Sequence, residues 1–574
     1  MEYDVVVIGS GAAAMTAAVT AAHAGRSVLV VEKSRWLGGT SAMSGGVAWL
    51  PNNPHIAETG EHDSRSRALT YFQSLVGAER MRPKVMEAFI DNAPRMVMFL
   101  EEHTTMQFER TTYPDYKSHL DGGMPVGRSI AAREWDGREL GAALDLLRPP
   151  MPELCVLGRM MVDGMDLYHF MNMTRSFASL RHVLRRLSRY AIDLVRYGRG
   201  TRLVMGNALL GRLIKSALDC GVELWPNAPA RRLIKNGGRV SGVVVERDGA
   251  EVTIHARLGV VIGSGGFAND PELKRRLIEH AEHHYTICPE SVSGDGIRMA
   301  LEAGASLGTN TWHNYLGTQV TFMKRAGKIV SKIPFLRRDR NKPGFVIVAA
   351  NGRRFVNEAW PYNDVAYAMT HTPDAVPAFL ICDHVRLRRY GLGLVRPGPG
   401  WARPLGKYLR SGHIVRANTI AELAAALHID AAQLEETIRK NNQYAANGKD
   451  AEFGKGDTVY DRWQGDPTVK PNPSLGPIDT PPYYAVTLWP GDLGTFCGLV
   501  TDERARVLDS AGRPITGLYA CGCDMHPVFT GSYPGGGGSI GPGMTFGFIA
   551  GRDLTTAALE PSLSPSNSVS ALRA

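Results

Sequence analysis

The feature that most constrains this chain is a glycine-rich turn between a strand and a helix near its start. A strand over Tyr3–Ile8 leads into Gly9-Ser10-Gly11, an alanine-rich helix follows, and a second strand ends at Glu32. The first glycine permits a tight turn, the second lets the backbone approach a pyrophosphate, and Ala14 lets the helix pack closely on the strand. A terminal acid such as Glu32 accepts from a ribose hydroxyl. This order of elements predicts a Rossmann-type dinucleotide-binding domain in an α/β fold.

A second glycine-rich stretch, Gly531–Met544, lies near the other end of the chain. Tyr533 is followed by glycines at 535–538, which leave backbone N–H groups bare for a planar ligand and a carbonyl oxygen. The residues after Gly543 are expected to form a helix whose N-terminal end adds partial positive charge. Taken alone, four consecutive glycines also fit a flexible turn.

These segments carry a family resemblance. Ser532–Gly537 resembles the Ser-Tyr-Pro-Gly-x-Gly segment of flavin-dependent 3-ketosteroid delta-1-dehydrogenases, in the fumarate reductase and succinate dehydrogenase flavoprotein group. The similarity extends over nearly the whole chain. It implies an FAD-dependent oxidoreductase that removes two hydrogens across C1 and C2 of a 3-ketosteroid.

The resemblance also implies how the cofactor is held. Gly38–Gly46 is similar to the flavin-contacting segment of the superfamily, which favours FAD over NAD, and it contains no histidine for covalent attachment. Non-covalent FAD is therefore expected. The cofactor-contacting positions implied in this way are Gly9, Gly11, Ala13, Ala14, Glu32, Lys33, Gly39, Thr40, Ser41, Ser44, Gly45, Gly46, Gly265, Gly266, Asp295, Gly522, Asp524, Ser539 and Ile540.

Three tyrosines and one glycine are implied as catalytic positions. Tyr362 follows an Arg-Phe-x-Asn-Glu segment and is similar to the family's base, while Tyr116 matches the tyrosine of a Pro-Asp-Tyr segment. The Tyr533 O–H and the Gly537 N–H would donate to the ketone oxygen. A phenol has an ordinary pKa of about 10, so Tyr116 is expected to favour the Tyr362 anion by donating to it. Without the resemblance, a turn tyrosine and a loop-anchoring tyrosine would explain positions 116 and 362 equally well.

Other functions stay open beside this hypothesis. Asp492–Gly498 has no histidine where fumarate reductases carry one, and Tyr533 stands in place of their arginine, so a ketone suits the site better than a dicarboxylate. A dehydrogenase or ene-reductase acting at another steroid position or on another apolar enone is the nearest alternative. A flavin-binding electron carrier without its own substrate is another. The electron acceptor, a quinone or an artificial compound, is not specified by the sequence.

Two basic segments, 174–199 and 322–340, mix arginine or lysine with apolar residues. Such amphipathic segments lie on anionic lipid in other proteins, which predicts a peripheral membrane contact. A solvated helix face or a subunit contact would give the same pattern. No nucleic-acid-binding signature accompanies the net charge of +9, so nucleic acid is not an expected partner.

The size and composition of the chain predict two domains. Its 574 residues are 44% hydrophobic, which suffices for more than one core. We expect an FAD-binding domain at 1–307 with a basic helical insertion at about 156–200, an inserted α+β catalytic domain at 308–485, a returning FAD-binding segment at 486–560 and a disordered tail at 561–574. Seven scattered cysteines without metal-ligand spacing, and no signal-peptide pattern, predict a cytoplasmic protein without bound metal.

Overall fold

The computed structural model describes residues 1–309, 311–336, 339–397 and 404–556, so the predicted tail at 561–574 lies outside the described residues. The strands are Glu2–Ile8 (β1), Val28–Val31 (β2), Val47–Trp49 (β3), Phe108–Arg110 (β4), Ser129–Ala132 (β5), Trp135–Asp136 (β6), Arg202–Leu203 (β7), Glu223–Trp225 (β8), Ala230–Asn236 (β9), Arg239–Arg247 (β10), Ala250–Ile262 (β11), Tyr315–Arg325 (β12), Lys328–Pro334 (β13), Phe345–Val348 (β14), Ala378–Asp383 (β15), Val415–Ala417 (β16), Tyr483–Thr495 (β17), Arg506–Leu508 (β18) and Pro514–Ala520 (β19). The α-helices are Ala12–His23 (α1), Arg65–Val76 (α2), Pro83–His103 (α3), Gly164–Asn172 (α4), Phe177–Tyr197 (α5), Met205–Asp219 (α6), Pro271–Leu277 (α7), Asp295–Glu302 (α8), Tyr362–His371 (α9), His384–Tyr390 (α10), Gly406–Arg410 (α11), Ile420–Leu427 (α12), Ala431–Asn447 (α13), Val459–Gln464 (α14) and Ile540–Thr556 (α15).

An eight-stranded sheet carries the first glycine-rich turn. Its strand order is β18-β19-β11-β1-β2-β8. In addition, β10 pairs with β11, and β9 pairs with β10. β1 pairs in parallel with β2 and β11, and β11 pairs in parallel with β19. The four residues of β2 are all buried valine or leucine, as expected for a parallel strand covered on both faces. The predicted α/β fold with a Rossmann-type arrangement is confirmed.

The two glycine-rich stretches are neighbours because α1 packs against α15. A Cβ added at Gly547 of α15 would lie 2.2 Å from the carbonyl oxygen of Ala13, so only glycine allows this approach. The chain therefore returns from its distant end to the first turn of the dinucleotide motif. This contact positions the glycine run beside that motif.

A second, antiparallel sheet of six strands lies in the predicted catalytic region. Its order is β13-β12-β17-β15-β14, with β16 paired to β17. Helices α12 and α13 supply leucine and isoleucine side chains to a core against this sheet. The predicted boundary at 485/486 falls inside β17, and the division of the chain at 308–485 stays a prediction.

Two local expectations are corrected by the structure. The basic segment 322–340 is not a helix: its residues 322–334 lie in the antiparallel hairpin β12–β13, and β12 also pairs with β17. Pairing with neighbouring strands overrides the amphipathic pattern. The sequence also suggests a hairpin over 345–358 around an Asn351-Gly352 turn. Instead, β14 pairs with β15 and meets the following segment only at the bridge between Val348 and Arg354.

The segment at about 156–200 contains two helices, and its description as an insertion stays a prediction. It contains α4 and α5, and the Ser176 side chain caps α5 by accepting from the N–H of Ser179. Val183 and Tyr190 are buried on the inner face of α5. Among the described residues, no helix combines the length and the apolar character that crossing a membrane requires.

Candidate active site

A cavity of about 420 Å³ connects the dinucleotide motif with the glycine run. Its wall includes Gly9 and Gly11 from the first turn, and Tyr533 and Gly537 from the returning segment. Tyr116 and Tyr362 line the same cavity. One elongated ligand, or two ligands in contact, could therefore touch both the N-terminal motif and the predicted catalytic tyrosines.

Most of the predicted cofactor positions lie in this wall. They come from the first turn, the end of β2, the segment after it, the start of α8 and the start of α15. The lining residues among them are Gly9, Gly11, Ala13, Glu32, Lys33, Gly39, Thr40, Ser41, Ser44, Gly45, Gly265, Asp295, Gly522, Ser539 and Ile540.

Four predicted cofactor positions do not line the cavity but lie next to it. Ala14 packs against Gly263, where an added Cβ would lie 2.8 Å from the Ala14 Cβ. Gly46 and Gly266 leave room for the backbone of Met205 and the side chain of Thr495. The buried Asp524 carboxylate accepts from the N–H of Gly265 at 2.8 Å and of Gly266 at 3.3 Å. These residues shape the cofactor end of the cavity without lining it.

The acid that ends β2 is held in place by two donors. The Ser10 Oγ donates to Glu32 at 2.6 Å, and the N–H of Ser34 donates to it at 2.8 Å. Burial raises the pKa of Glu32, while these two hydrogen bonds act in the opposite direction. Lys33 beside it forms an ion pair of 2.7 Å with Asp295. The carboxylate is thus oriented before any ribose hydroxyl arrives.

The cofactor end fits a dinucleotide. The first residues of α1, α8 and α15, namely Ala12, Asp295 and Ile540, all lie in the cavity wall. The cap residue of α1, Gly11, supplies no side chain, and the Ser41 Oγ accepts from the N–H of Ala12 at 3.2 Å. Uncapped backbone N–H groups at a helix N-terminus bind phosphate groups, so α1 is suited to the pyrophosphate of FAD.

Three tyrosines from distant parts of the chain meet at the other end. The ring centroids of Tyr116 and Tyr362 are 5.8 Å apart, and both lie 5.7 Å from that of Tyr533. All three side chains are buried. The N–H of Tyr116 donates to the carbonyl of Pro534 at 2.9 Å, which fixes its segment to the glycine run.

Burial favours the protonated form of Tyr362 and of Tyr533 in the protein alone. It raises the pKa of Tyr362 well above its ordinary value, and the phenols of Tyr116 and Tyr533 add to the rise. Burial also raises the pKa of Tyr533, although hydrogen bonds with Tyr362 and Ser539 lower it in part. In the protein alone, the hydrogen bond with Tyr116 raises the pKa of Tyr362, and the expected help of Tyr116 to the Tyr362 anion stays a prediction.

Gly537 occupies a position that only glycine can take. Its φ is +90°, and an added Cβ would lie 2.3 Å from the carbonyl oxygen of Val47. Its own carbonyl accepts from the N–H of Trp49 at 3.1 Å. The peptide that carries the Gly537 N–H is fixed through its own carbonyl, that of Gly536, which accepts from the Ser129 Oγ at 2.9 Å.

Sequence reasoning missed the apolar half of the cavity and a fourth tyrosine. Tyr460 of α14 is fully buried, with its ring centroid 4.8 Å from that of Tyr116. No local motif marks it, since only the packing of α14 brings it to the cluster. The apolar wall comes from four segments that the sequence gives no reason to join: Pro150, Met151, Leu154, Cys155, Met161, Val162, Leu316, Ile333, Pro334, Phe335 and Leu336.

The comparisons with known proteins agree with this site. The family model described as FAD binding domain matches residues 4–540. A 3-oxosteroid 1-dehydrogenase of Mycobacterium tuberculosis is 37% identical over 96% of this chain and 97% of its own length. A 4-oxocyclohex-2-ene-1-carboxylate 5-dehydrogenase of Sinomonas cyclohexanicum is 36% identical over 96% of this chain and 93% of its own. The crystal structure of 3-ketosteroid delta1-dehydrogenase from Sterolibacterium denitrificans, in complex with 1,4-androstadiene-3,17-dione, matches with a TM-score of 0.89 and 37% identity over 97% of this chain and 100% of that one.

The fold and the cavity define a flavoprotein oxidoreductase, and FAD is its cofactor. The family match covers most of the chain, and the relatives match it along almost their whole length. The chain belongs to the 3-oxosteroid 1-dehydrogenase family of FAD-binding flavoproteins. Non-covalent attachment of the cofactor stays a prediction from the absence of histidine between Gly38 and Gly46.

Proposed function

We propose that this protein dehydrogenates 3-ketosteroids across C1 and C2, converting a 3-keto-4-ene into a 3-keto-1,4-diene. The single observation that carries the proposal is the meeting of three buried phenols with the glycine run in one cavity. An elongated apolar wall extends from those phenols. The relatives named 3-oxosteroid 1-dehydrogenase support the same reaction.

In this mechanism the ketone oxygen at C3 accepts hydrogen bonds from the Tyr533 O–H and the Gly537 N–H. The enolate charge that develops on this oxygen is thereby stabilised, and each such donor is worth about 3–4 kcal/mol. Tyr362, as a phenolate, takes the proton from C2. The hydrogen on C1 leaves with its electron pair, for which bound FAD is the acceptor. The proton and the hydride together account for the two hydrogens lost.

The wall favours a steroid over the smaller carboxylate substrates named for the Sinomonas relatives. Around the tyrosines, the described lining residues are almost all apolar, and Asp339 is the only charged side chain among them. A substrate carboxylate needs a cationic or donor-rich partner. Among the described lining residues around the tyrosines, none is cationic. A fused apolar ring system meets no such penalty and buries more surface against methionine, leucine and phenylalanine.

Anaerobic mixing of the FAD-loaded enzyme with 4-androstene-3,17-dione tests the proposed reaction. Bound flavin should lose its visible absorbance within a single turnover. Tyr362→Phe should slow that bleaching by about 10²–10⁴-fold without releasing FAD, since general-base catalysis supplies a factor of this size. Bleaching at the wild-type rate in Tyr362→Phe would contradict the role of Tyr362. Bleaching only by 4-oxocyclohexanecarboxylates would favour the second candidate reaction.

We also propose that α4 and α5 form a peripheral contact with anionic lipid. Phe177 and Val195 are 81% and 89% exposed on α5. Exposed arginines accompany them, while the acidic residues of these two helices, Asp166 and Asp193, are buried. The outer face thus combines apolar side chains with positive charge alone, as membrane-surface helices do. The hairpin β12–β13 has no part in this proposal.

Vesicle flotation tests the lipid contact. The wild-type protein should float with vesicles that contain phosphatidylglycerol and stay behind with phosphatidylcholine alone. Changing Phe177 and Val195 together to serine should abolish flotation, because both side chains project from the surface. Val459→Ser, at a residue 55% exposed elsewhere, is the matched control and should float normally. Equal flotation of all variants, or none at all, would disprove the contact.

A further inference from the structure

Arg340 is a fully buried arginine beside the substrate end of the cavity. Its guanidinium donates to the carbonyls of Phe335 at 3.1 Å, Leu336 at 3.4 Å and Trp360 at 2.7 Å, and to that of Glu358. Phe335 and Leu336 line the cavity, and Trp360 lies two residues before Tyr362. One side chain therefore ties the apolar wall to the segment that carries the proposed base.

The positive charge of Arg340 has no directly bonded anion. No carboxylate lies within 4 Å of it in the part of the chain that the structure describes. The Glu358 carboxylate is engaged instead by Arg354 at 2.8 Å and by Lys455 at 3.2 Å. The Asp339 carboxylate accepts from two backbone N–H groups, those of Arg340 and Gly393. Carbonyl dipoles alone hold the guanidinium.

Arg340 lies beside the tyrosine cluster, because Leu336, whose carbonyl accepts from its guanidinium at 3.4 Å, packs against those rings. Its guanidinium interacts electrostatically with the phenols of Tyr460 and Tyr116, as well as with Asp339 and Glu358. Other charged groups also adjoin the cluster. Lys117 pairs with Asp364, and the buried Asp115, next to Tyr116, pairs with Arg128. The buried Asp461 follows Tyr460 in the chain. A guanidinium stays protonated even when burial lowers its pKa, because its ordinary pKa is above 12. Arg340 is thus a permanent cation in a region of low dielectric.

We propose that Arg340 is the positioning residue whose fixed positive charge makes a phenolate accessible in the Tyr116–Tyr362–Tyr533 cluster. This inference rests on the proposed function, because it concerns how Tyr362 becomes a base. Burial opposes the ionisation of Tyr362, and so do the contacts of its phenol with those of Tyr116 and Tyr533. An opposite charge at short range favours the ionised form by about 1–3 pKa units. Arg340 acts from the side of Tyr116 and Tyr460, away from the glycine run.

The test compares neutral and charged replacements of Arg340 by the pH dependence of single-turnover flavin bleaching. Arg340→Gln and Arg340→Met should shift the rising limb of the pH profile to higher pH by about one unit, so the rate falls about tenfold at a fixed lower pH and recovers at high pH. Arg340→Lys should keep the wild-type limb. Equal losses at every pH in all three variants would show a merely structural role and overturn the proposal.

A second variant covers the case in which the neutral replacements do not fold. Asp339→Asn removes a carboxylate that interacts electrostatically with Arg340, leaves Arg340 in place and should shift the limb to lower pH. An unshifted or alkaline-shifted limb would overturn the proposal. The proposed function has a separate outcome: if no ketosteroid bleaches the wild-type enzyme at any pH, the reaction itself is wrong. If ketosteroids bleach the wild-type enzyme but the Arg340 variants keep its pH profile, only the role of Arg340 is refuted.

Discussion

The two ends of the cavity are built in different ways. At the cofactor end, the ligand meets backbone: Gly9, Gly11 and Gly39 line the wall, and helices begin there. At the ketone end it meets side chains: Tyr116, Tyr362 and others gather from segments more than two hundred residues apart. One end is specified by short contiguous motifs. The other exists only once the chain has folded.

This difference teaches which substitutions each end tolerates. A backbone site depends on φ and on close approach, so glycine positions are the sensitive ones. A side-chain site depends on hydroxyl groups, which can be removed while ring packing is kept. Gly537 belongs to both ends, because it is a glycine of the run and a predicted donor to the ketone. Substitutions there should be the most damaging.

Gly537→Ala is expected to have the largest effect. The new methyl group would collide with the Val47 carbonyl, at 2.3 Å, in a conformation that alanine rarely adopts. The peptide must move, so turnover should fall by about 1000-fold or more. Gly412→Ala, also at positive φ but with nothing within 4 Å, is the control for backbone strain. Steady-state rates and FAD content are the measurements, and near-normal turnover of Gly537→Ala would contradict the assignment.

Tyr533→Phe should come next and should separate the two ends. It removes one donor to the ketone oxygen, so kcat should fall by about 10²–10³-fold. Its ring packing against Phe496 survives, with ring centroids 6.1 Å apart, and FAD content should be unchanged. Phe496→Leu is a neighbouring control that leaves the hydroxyl in place. Loss of FAD from Tyr533→Phe would mean that the two ends are not separable.

Contiguous sequence patterns predicted the cofactor end because each motif is local. The strand, turn and helix from Glu2 to His23 depend on the properties of their own residues, and Glu32 follows at a fixed spacing. The basic segments show where local reasoning stops. Segments 174–199 and 322–340 have similar compositions, yet α5 is a helix and β12–β13 is a hairpin. Pairing with β17, far along the chain, decided the second case.

The ketone end was predicted only in part. Resemblance supplied Tyr116, Tyr362 and Tyr533, but no pattern pointed to Tyr460 or Arg340. Tyr460 lies within a six-residue helix whose local sequence resembles any capped surface turn. Arg340 sits in a strongly basic stretch that suggests solvent or lipid, whereas the structure buries it completely. Burial of a charge is a tertiary property, so composition could not reveal it.

Ser10→Ala should act at the cofactor end alone. Ser10 donates to Glu32 at 2.6 Å and accepts from the N–H of Gly38 at 2.9 Å, so its loss frees the acid that is predicted to bind ribose. A hydrogen bond to a charged group is worth about 1.5–3 kcal/mol, and the Kd for FAD should rise by about 10–100-fold. At saturating FAD, kcat should stay normal. Ser27→Ala, at an exposed hydrogen bond in the same domain, is the control.

The smallest expected effect is that of acid on thermal stability, which should differ between the two parts of the molecule. Burial lowers the pKa of His313 to about 3 and of His413 to about 4, and both lie in the region of the second sheet. In the returning segment, burial lowers the pKa of one histidine, His526, to about 3. These histidines are neutral when folded and take up protons when unfolded, so their stabilising contribution is complete above about pH 6.5 and is lost progressively as pH falls from there. At pH 5 each would cost up to about 2 kcal/mol. Melting curves at pH 7.5 and 5.0 should show a lower Tm in acid. His413→Gln should reduce this difference in Tm between the two pH values. His103→Asn, at an exposed residue of α3, is the control and should leave the difference unchanged. An equal Tm at both pH values would mean that these histidines are not neutral in the folded protein. If the first sheet unfolded in acid before the second, the second sheet would not be the more acid-sensitive part.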